Sequence, residues 1–409
     1  MNFIKDFVVT SLHRRTARYI RKNSIKVIAV VGSVGKTSTS HAIRTVLKTG
    51  DIKVQESATN YNTNKSIHLQ IFNLAFATNP LSWVVVIIKL YFKSLIKPNY
   101  THIVLELGTD APGDLAHFSW IDIDTLVITA ITPEHMLNFK DLDAVADEEL
   151  TLVKRSKTVI YNGASIAQAY IERIKTMHPH AVAYGVGKYS VAERLGSATL
   201  HGKTIRGLNV VGEHSLLALS AAILVGQKYK IDPDKIEHGL LAIQPVAGRM
   251  QKLHGIKDSL IIDDSYNASP DAVIAALEVL KRSSSKHKIA LLGQMNELGD
   301  HSESYHRHVG KECRPTYIQL LITLGPDSNL WLADEAERNG CKVIRTTNPQ
   351  EAGEVLLENI QDKSLVLVKG SQNRVFAEEA IKKILADPKD ASKLTRQSPY
   401  WLQKKKEAF

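Results

Sequence analysis

Cysteine is scarce. The 409 residues hold two, Cys313 and Cys341, which excludes a disulfide scaffold and a structural zinc site and suits a reducing cytoplasm. Long apolar runs are scarce as well. The stretch Leu81 to Ile96, LSWVVVIIKLYFKSLI, is too short to span a bilayer and carries Lys89 and Lys93. It has two readings, a buried helix or a helix inserted shallowly into a membrane face. A secretory signal is also missing, because the opening MNFIKDFVVTSLHRRTARYIRKNS is broken by Lys5, Asp6, Arg14, Arg15 and Arg18 and lacks a small-residue cleavage site. That segment reads as a basic amphipathic helix. Its Phe3, Ile4, Phe7, Val8, Leu12 and Ile20 are expected to pack on the body, with a membrane-surface role as the alternative. The formal charge of +10 comes with no RNA-reading motif, repeat or low-complexity tract, and its cations gather at the two ends, so it speaks for solubility and steering. The tail with Lys404, Lys405 and Lys406 is expected to be a solvated end.

What is present begins with IKVIAVVGSVGKTSTS, residues 25–40, where an apolar strand runs into a glycine-punctuated loop. Gly32 and Gly35 let the backbone turn tightly, so that successive N–H groups and the following helix N-terminus face anionic oxygens. Lys36 would neutralise β- and γ-phosphates, and the Thr37 hydroxyl would hold Mg²⁺. The longer pattern GxxxxGK[ST] is not met, since Val30 stands where its first glycine belongs; the motif here is GxxGKT. Gly32, Ser33, Val34, Gly35, Lys36, Thr37 and Ser38 are the predicted triphosphate cradle.

From Ile25 onward, apolar strands alternate with helical segments: IKVIAVV, THIVLELG, DTLVITAI and KTVIYNG. This predicts an α/β fold, a P-loop parallel-sheet ATPase domain over residues 25–246 behind a basic N-terminal helix at 1–24. A second alternating series, SLIIDDSYNASP, HKIALLGQM, YIQLLITLG and SLVLVKGS, predicts a smaller Rossmann-like α/β C-terminal domain at 247–390, followed by a basic tail at 391–409. The boundary is expected around Gln244 to Gly248, where Pro245 and Gly248 break the pattern.

Ligands of parallel sheets gather at the carboxyl ends of the strands. Glu106 and His135 fall at such ends and could join Thr37 around a metal ion. In the second series, Asp263, Asp264, Tyr266 and Asn267 follow one strand, GQMNELG another, and Lys369 to Ser371 a third. A plain Asp/Asn turn is the simpler reading of each, and a shared cleft is the sharper one.

Read in order, GSVGKTS, NYNTN, LELGTDAPGD, ITAITPEHMLNF, GEHSLLALSAA, AGRM, DDSYNASP, LLGQMNELG and VKGS resemble the Mur ligase family, from about Ile25 to Ile384. The likeness is greatest to its D-alanyl-D-alanine-adding (MurF) type, which acts on UDP-N-acetylmuramoyl-tripeptide in peptidoglycan synthesis. The resemblance implies ATP and Mg²⁺ as cofactors and a cytoplasmic, monomeric enzyme whose partners are a peptide-bearing cell-wall precursor and D-alanyl-D-alanine. It implies no nucleic acid. Membrane contact through residues 1–22 or 81–96 is an expectation of the sequence itself. By matching position, Thr37, Glu106 and His135 would bear on Mg²⁺, Arg249, Asp264, Tyr266 and Asn267 would reach the nucleotide, and Asn60, Asn62, Lys369 and Ser371 would lie near the substrates. Lys36, Glu106, His135, Glu149 and Arg249 make up the implied catalytic set.

Three departures qualify the likeness. The phosphate loop starts at Gly32, leaving room for a helix where relatives carry a UDP-binding domain, so the acceptor could differ from a uridine nucleotide. Glu149, or Glu148 if the alignment slips, stands where the family carries a carbamylated lysine; a carboxylate keeps the charge and loses reach. Ser215 and Ala218 replace two frequent asparagines, one of them near the adenine. A nucleotide-binding regulator without turnover is the non-enzymatic alternative.

Overall fold

The computed structural model describes residues 2–56, 67–74, 80–134, 136–187, 191–194, 197–372 and 374–408. They form two compact units. One comprises 1–132, 138–207 and 217–243, the other 133–137, 208–216 and 244–409.

The first unit holds α1 (Asn2–Lys22), β1 (Lys26–Val31), α2 (Lys36–Thr49), α3 (Ile67–Ile71), α4 (Pro80–Lys93), β2 (His102–Glu106), β3 (Ile123–Ile128), α5 (Leu142–Glu149), β4 (Ser156–Asn162), α6 (Gln168–Met177) and β5 (Val182–Tyr184). A small antiparallel meander follows, β6 (Val191–Arg194), β7 (Ser197–Leu200) and β8 (Lys203–Arg206), and then α7 (Glu213–Lys228) and α8 (Pro233–Ala242). The main sheet is parallel throughout, in the order β2-β1-β3-β4-β5. Its central strands are apolar without alternation, as strands covered on both faces must be: every residue of β1 after Lys26 and every residue of β3 is buried. Helix α2 follows from Gly35 in a left-handed conformation (φ 87°), and α8 from Asp232, whose carboxylate accepts Asp234 N–H just ahead of Pro233 in the first turn.

Two helices depart from expectation or refine it. The carboxyl half of α1 packs on the body through Thr16, Ala17, Tyr19 and Ile20. Helix α4 is not the buried helix of the simpler reading: Leu90 is inside, while Val84, Val85, Ile88, Tyr91 and Phe92 are exposed.

The second unit contains β9 (Gln251–His254), β10 (Leu260–Asp264), α9 (Pro270–Arg282), β11 (Lys288–Gly293), α10 (Ser302–Glu312), β12 (Leu320–Leu324), α11 (Ala333–Arg338), β13 (Val343–Thr346), α12 (Pro349–Asn359), β14 (Leu365–Lys369), α13 (Glu378–Ile381) and α14 (Pro399–Ala408). Its sheet runs β13-β12-β11-β14-β10-β9, with only β9 antiparallel. Separate apolar clusters fill its two faces, one around Leu277, Leu292 and Leu367, the other around Ile289, Val366 and Ile381. Cys313 and Cys341 are free thiols, both buried. The carboxyl end is not wholly solvated. Lys404 and Lys406 are exposed, but Lys405 is buried and its Nζ meets Glu378 Oε1 at 2.7 Å and Glu379 Oε1 at 2.6 Å.

Candidate functional site

In the first unit β1 lies between β2 and β3, so the chain leaves its two neighbours on opposite sides. A crevice forms at the carboxyl ends of strands where order reverses in this way, and the loop 32–35 sits there. Gly32 has φ 122°, and a Cβ on it would stand 2.3 Å from Thr129 Oγ1 and 2.8 Å from the backbone of Ala130. Only glycine fits. Thr129, just past β3, shares its hydroxyl between Val31 O (3.0 Å) and Val34 O (2.6 Å). Ser33 N–H donates to Ala130 O at 3.0 Å, and Ser33 Oγ donates to Thr132 O and accepts Thr132 N–H, each at 3.0 Å. The loop is thus pinned to the end of β3 on both sides of Gly32.

Lys36 opens α2 and folds back, donating from Nζ to Gly32 O (2.5 Å) and Ser33 O (3.1 Å). Its cation is thereby held over the loop, while Val34 and Ser38 are half-buried beside it. Thr37 Oγ1 donates to Glu106 Oε1 at 2.8 Å. Glu106 ends β2 in register with Val30, is 6% exposed, and its Oε2 has no hydrogen-bond partner among the described residues. Behind it, burial pulls the Arg44 guanidinium below its usual range and the Glu106 charge opposes that pull.

A buried carboxylate oxygen left over beside a threonine hydroxyl and a lysine suits a hard divalent cation bridged to phosphate. Among the described residues no cluster of three or more His, Cys, Asp or Glu side chains could hold a metal. His135, Asn60 and Asn62 lie outside the described residues.

The two candidates at the end of α5 separate cleanly. Glu148 is consumed by the loop after β2: its Oε1 accepts Leu115 N–H (2.5 Å) and Thr109 Oγ1 (3.4 Å), and its Oε2 accepts Gly113 N–H (2.7 Å). It shapes that loop. Glu149 is the last residue of α5 and is 2% exposed. Ser215 and Ala218 are buried in α7.

In the second unit, three loops from three parallel strands meet. Lys369 Nζ, at the end of β14, pairs with Asp264 Oδ2 at 2.6 Å and donates to Asn267 O at 2.9 Å, with both charged side chains under a tenth exposed. Asp264 Oδ1 accepts Met250 N–H at 3.1 Å, fixing the turn that carries Arg249. Ser371 Oγ donates to Asn267 Oδ1 at 3.0 Å. The GQMNELG loop joins them: Asn296 Nδ2 donates to Gln372 O at 2.6 Å, and Gln294 O accepts Ser371 N–H at 3.2 Å. Lys369, which the resemblance puts near the substrates, is ion-paired with Asp264. The open groups are Tyr266, 37% exposed, and the Arg249 guanidinium over its ring at 4.3 Å.

Sequence reasoning did not single out the groups behind these loops. Arg396 lies 8% exposed under Tyr266, donating to Tyr266 O (2.9 Å), Ser265 O (2.8 Å) and both oxygens of the fully buried Glu378. Thr129 and Thr132 are equally silent in sequence, each an ordinary strand-end threonine. Asp263, named with its neighbours, proves to be fully buried: burial pushes its carboxyl up to about 6, against the opposing hydrogen bonds from Ser265.

Residues 30–226 match the Mur ligase middle domain family, and residues 248–372 the family described as Mur ligase, glutamate ligase domain. The chain is similar to the UDP-N-acetylmuramoyl-tripeptide–D-alanyl-D-alanine ligase of Bacillus subtilis (strain 168), 27% identical over 402 residues that cover 94% of this chain and 81% of the relative. The enzyme of the same name from Buchnera aphidicola subsp. Acyrthosiphon pisum is 26% identical over 372 residues, covering 86% and 75%. Among solved structures, MurF ligase from Thermotoga maritima in complex with ADP superposes with a TM-score of 0.72 at 20% identity, over 92% of this chain and 83% of that one.

Proposed function

The chain belongs to the Mur ligase family, and on that footing we propose that it is an ATP-dependent amide ligase which adds D-alanyl-D-alanine to a UDP-N-acetylmuramoyl-tripeptide. The observation that carries this reading is the Thr37–Glu106 pair at the mouth of the glycine loop, with Glu106 Oε2 buried and unspent. The relatives named for that reaction align along most of the chain.

In the proposed reaction the terminal carboxylate of the peptide attacks the γ-phosphorus of ATP, and ADP leaves. The amine of D-alanyl-D-alanine then attacks the acyl carbon, inorganic phosphate departs with the carbonyl electrons restored, and the nitrogen loses a proton to give the amide. Such chemistry depends on positioning and charge neutralisation. The backbone N–H groups of residues 34–38 cradle the phosphates, Lys36 opposes their charge, and Gly32 and Ser33 keep the loop close to the end of β3. Thr37, Glu106 and His135 would hold Mg²⁺, which supplies Lewis-acid neutralisation of the phosphate oxygens when bound. Glu149 adds a second carboxylate in place of a carbamate. Arg249 and Tyr266 offer a cation and a half-open aromatic face to the nucleotide, on a loop that Asp264, Asn267, Lys369 and Ser371 hold in shape. The enzyme works as a monomer in the cytoplasm.

A second reading keeps the chemistry and changes the acceptor to a lipid-linked carboxylate; the outward apolar face of α4 favours it. One experiment separates the readings. Purified protein is incubated with MgATP, UDP-N-acetylmuramoyl-tripeptide and D-alanyl-D-alanine, with product followed by mass spectrometry and phosphate release in parallel. A pentapeptide product supports the first reading, and phosphate without it supports another acceptor. Lys36→Ala should abolish both signals; turnover at the wild-type rate in that variant sinks the phosphate-loop assignment.

A further inference from the structure

At the end of α2 remote from the phosphate loop, the first unit opens into a concave pocket of about 950 Å³. Lys36 begins α2 and Lys48 lines the pocket, which places the two sites roughly 18 Å apart along one helix at ~1.5 Å per residue. Four lysines line it: Lys48, Lys53, Lys93 and Lys97. Its one acidic side chain, Glu56, is taken by Lys48 at 2.8 Å. Lys93 donates to Phe72 O (2.8 Å) and Asn73 O (3.1 Å), whereas Lys53 and Lys97 make no ion pair among the described residues. The pocket therefore presents uncompensated positive charge.

Beside it stands the outward face of α4. Val84, Val85, Ile88, Tyr91 and Phe92, with Leu95 and Ile96 in the turn just past its end, are 49–65% exposed, and their spacing is that of a helical stripe which ordinarily faces a core. Ile96 belongs to the stripe and to the pocket wall, so the two surfaces are continuous. Between Glu56 and Glu106 the chain has no Asp or Glu at all, while Lys89, Lys93 and Lys97 are exposed along the same stretch. Arg15 of α1 lies over the Tyr91 ring at 3.7 Å and donates to Ser94 Oγ at 2.5 Å, fastening α1 alongside. An apolar stripe fringed by cations, its one acidic neighbour Glu56 paired with Lys48, is complementary to an interface of acyl chains and anionic headgroups. A second copy would bring the same cations against each other. No described helix is long and apolar enough to cross a membrane.

We propose that this surface docks on an anionic phospholipid membrane, with the α4 stripe in the interface and a lipid phosphate seated between Lys53 and Lys97. The docking requires no turnover, so it stands or falls separately from the ligase reading. The test is flotation of the full chain with vesicles of phosphatidylcholine alone and of phosphatidylcholine mixed with phosphatidylglycerol. The wild type should float with the anionic vesicles, roughly tenfold more than with neutral ones, and the gain should shrink with added salt. Val85→Asp with Phe92→Asp should abolish flotation; Lys53→Glu with Lys97→Glu should reduce it to the neutral-vesicle level. All four positions are exposed, and circular dichroism should show both double variants folded. Lys36→Ala should float like the wild type. Absence of wild-type flotation, or flotation indifferent to both double variants, overturns the proposal. So does a dimer in sedimentation velocity that Phe92→Asp dissolves without any flotation. Inorganic phosphate protecting Lys53 and Lys97 from amine labelling while vesicles fail to bind would reassign the pocket to a free anion and overturn it too.

Discussion

Gly32 shows how narrow the residue-level tolerance is. With φ at 122° and Thr129 Oγ1 standing 2.3 Å from a would-be Cβ, Gly32→Ala must push the loop off the end of β3. A shift of about 1 Å is enough to cost on the order of a hundredfold in a reaction that depends on positioning. The variant is expected to lose that much in kcat/KM for ATP while keeping its circular dichroism; an unchanged kcat/KM would show that the loop does not position phosphate. Glu149→Gln should lower kcat with little change in ATP affinity, and steady-state kinetics with equal kcat would remove Glu149 from the site. Asp263 makes a prediction in pH. Its folded value of about 6 lies above the ordinary carboxylate value of roughly 3.9, so the native state keeps a proton that the unfolded chain releases. Stability should fall as pH rises from about 4 to about 6, by on the order of 3 kcal/mol, and then level off. In urea midpoints measured against pH, Asp263→Asn should erase that slope. At this scale the hydrogen bonds of Lys36 are local, its partners Gly32 and Ser33 lying within four residues, whereas Thr37 is singled out by its motif alone, since its partner Glu106 is 69 positions away. Thr129 is not singled out, since the carbonyl it holds at Val34 is 95 positions away in the chain.

At the scale of elements, α14 is the case where composition misled. Three consecutive lysines suggested a solvated end, yet helical geometry turns one of them inward onto Glu378 and Glu379 while its neighbours face water. Together with Arg396 it neutralises a carboxylate that is wholly out of solvent. Arg396→Ala should therefore destabilise the second unit by about 3–5 kcal/mol, since Glu378 and the carbonyls of Ser265 and Tyr266 lose their donor. It should also raise KM for ATP more than it lowers kcat, because the Tyr266 loop loses its support. Arg396→Lys should recover part of the stability and little of the KM, lacking the planar fork. A KM equal to wild type in both variants would reduce Arg396 to a structural role. The long parallel strands were legible from uninterrupted apolar runs. The short ones, Val182–Tyr184, Gln251–His254 and Val343–Thr346, were not, because three or four partly exposed residues carry no period. Helix α4 defeated the pattern from the other side: periodicity locates an apolar face and is silent on what covers it.

At the scale of the molecule, both units follow one rule, placing their polar loops at the carboxyl ends of parallel strands. That much the alternation of strand and helix made readable; the two units interleave in sequence, residues 133–137 and 208–216 belonging with 244–409. Each unit has its own sheet and core, so nucleotide binding should be visible in calorimetry of the full chain. MgATP at about one hundred times its Kd adds ~2.7 kcal/mol to the unit that binds it and should raise that transition. Lys36→Ala should leave the transition where it was. A shift of the same size in that variant would place the nucleotide elsewhere.

Helix α2 has a further consequence, one of measurement. It is a fourteen-residue rod whose first residue serves the phosphates and whose last turn borders the cationic pocket. A chain that rests its pocket on a bilayer would carry its phosphoryl chemistry at a set height, no more than about one helix length above the headgroups. The rod then acts as a ruler, and an acceptor anchored in that bilayer has to bring its carboxylate up to the height the ruler sets.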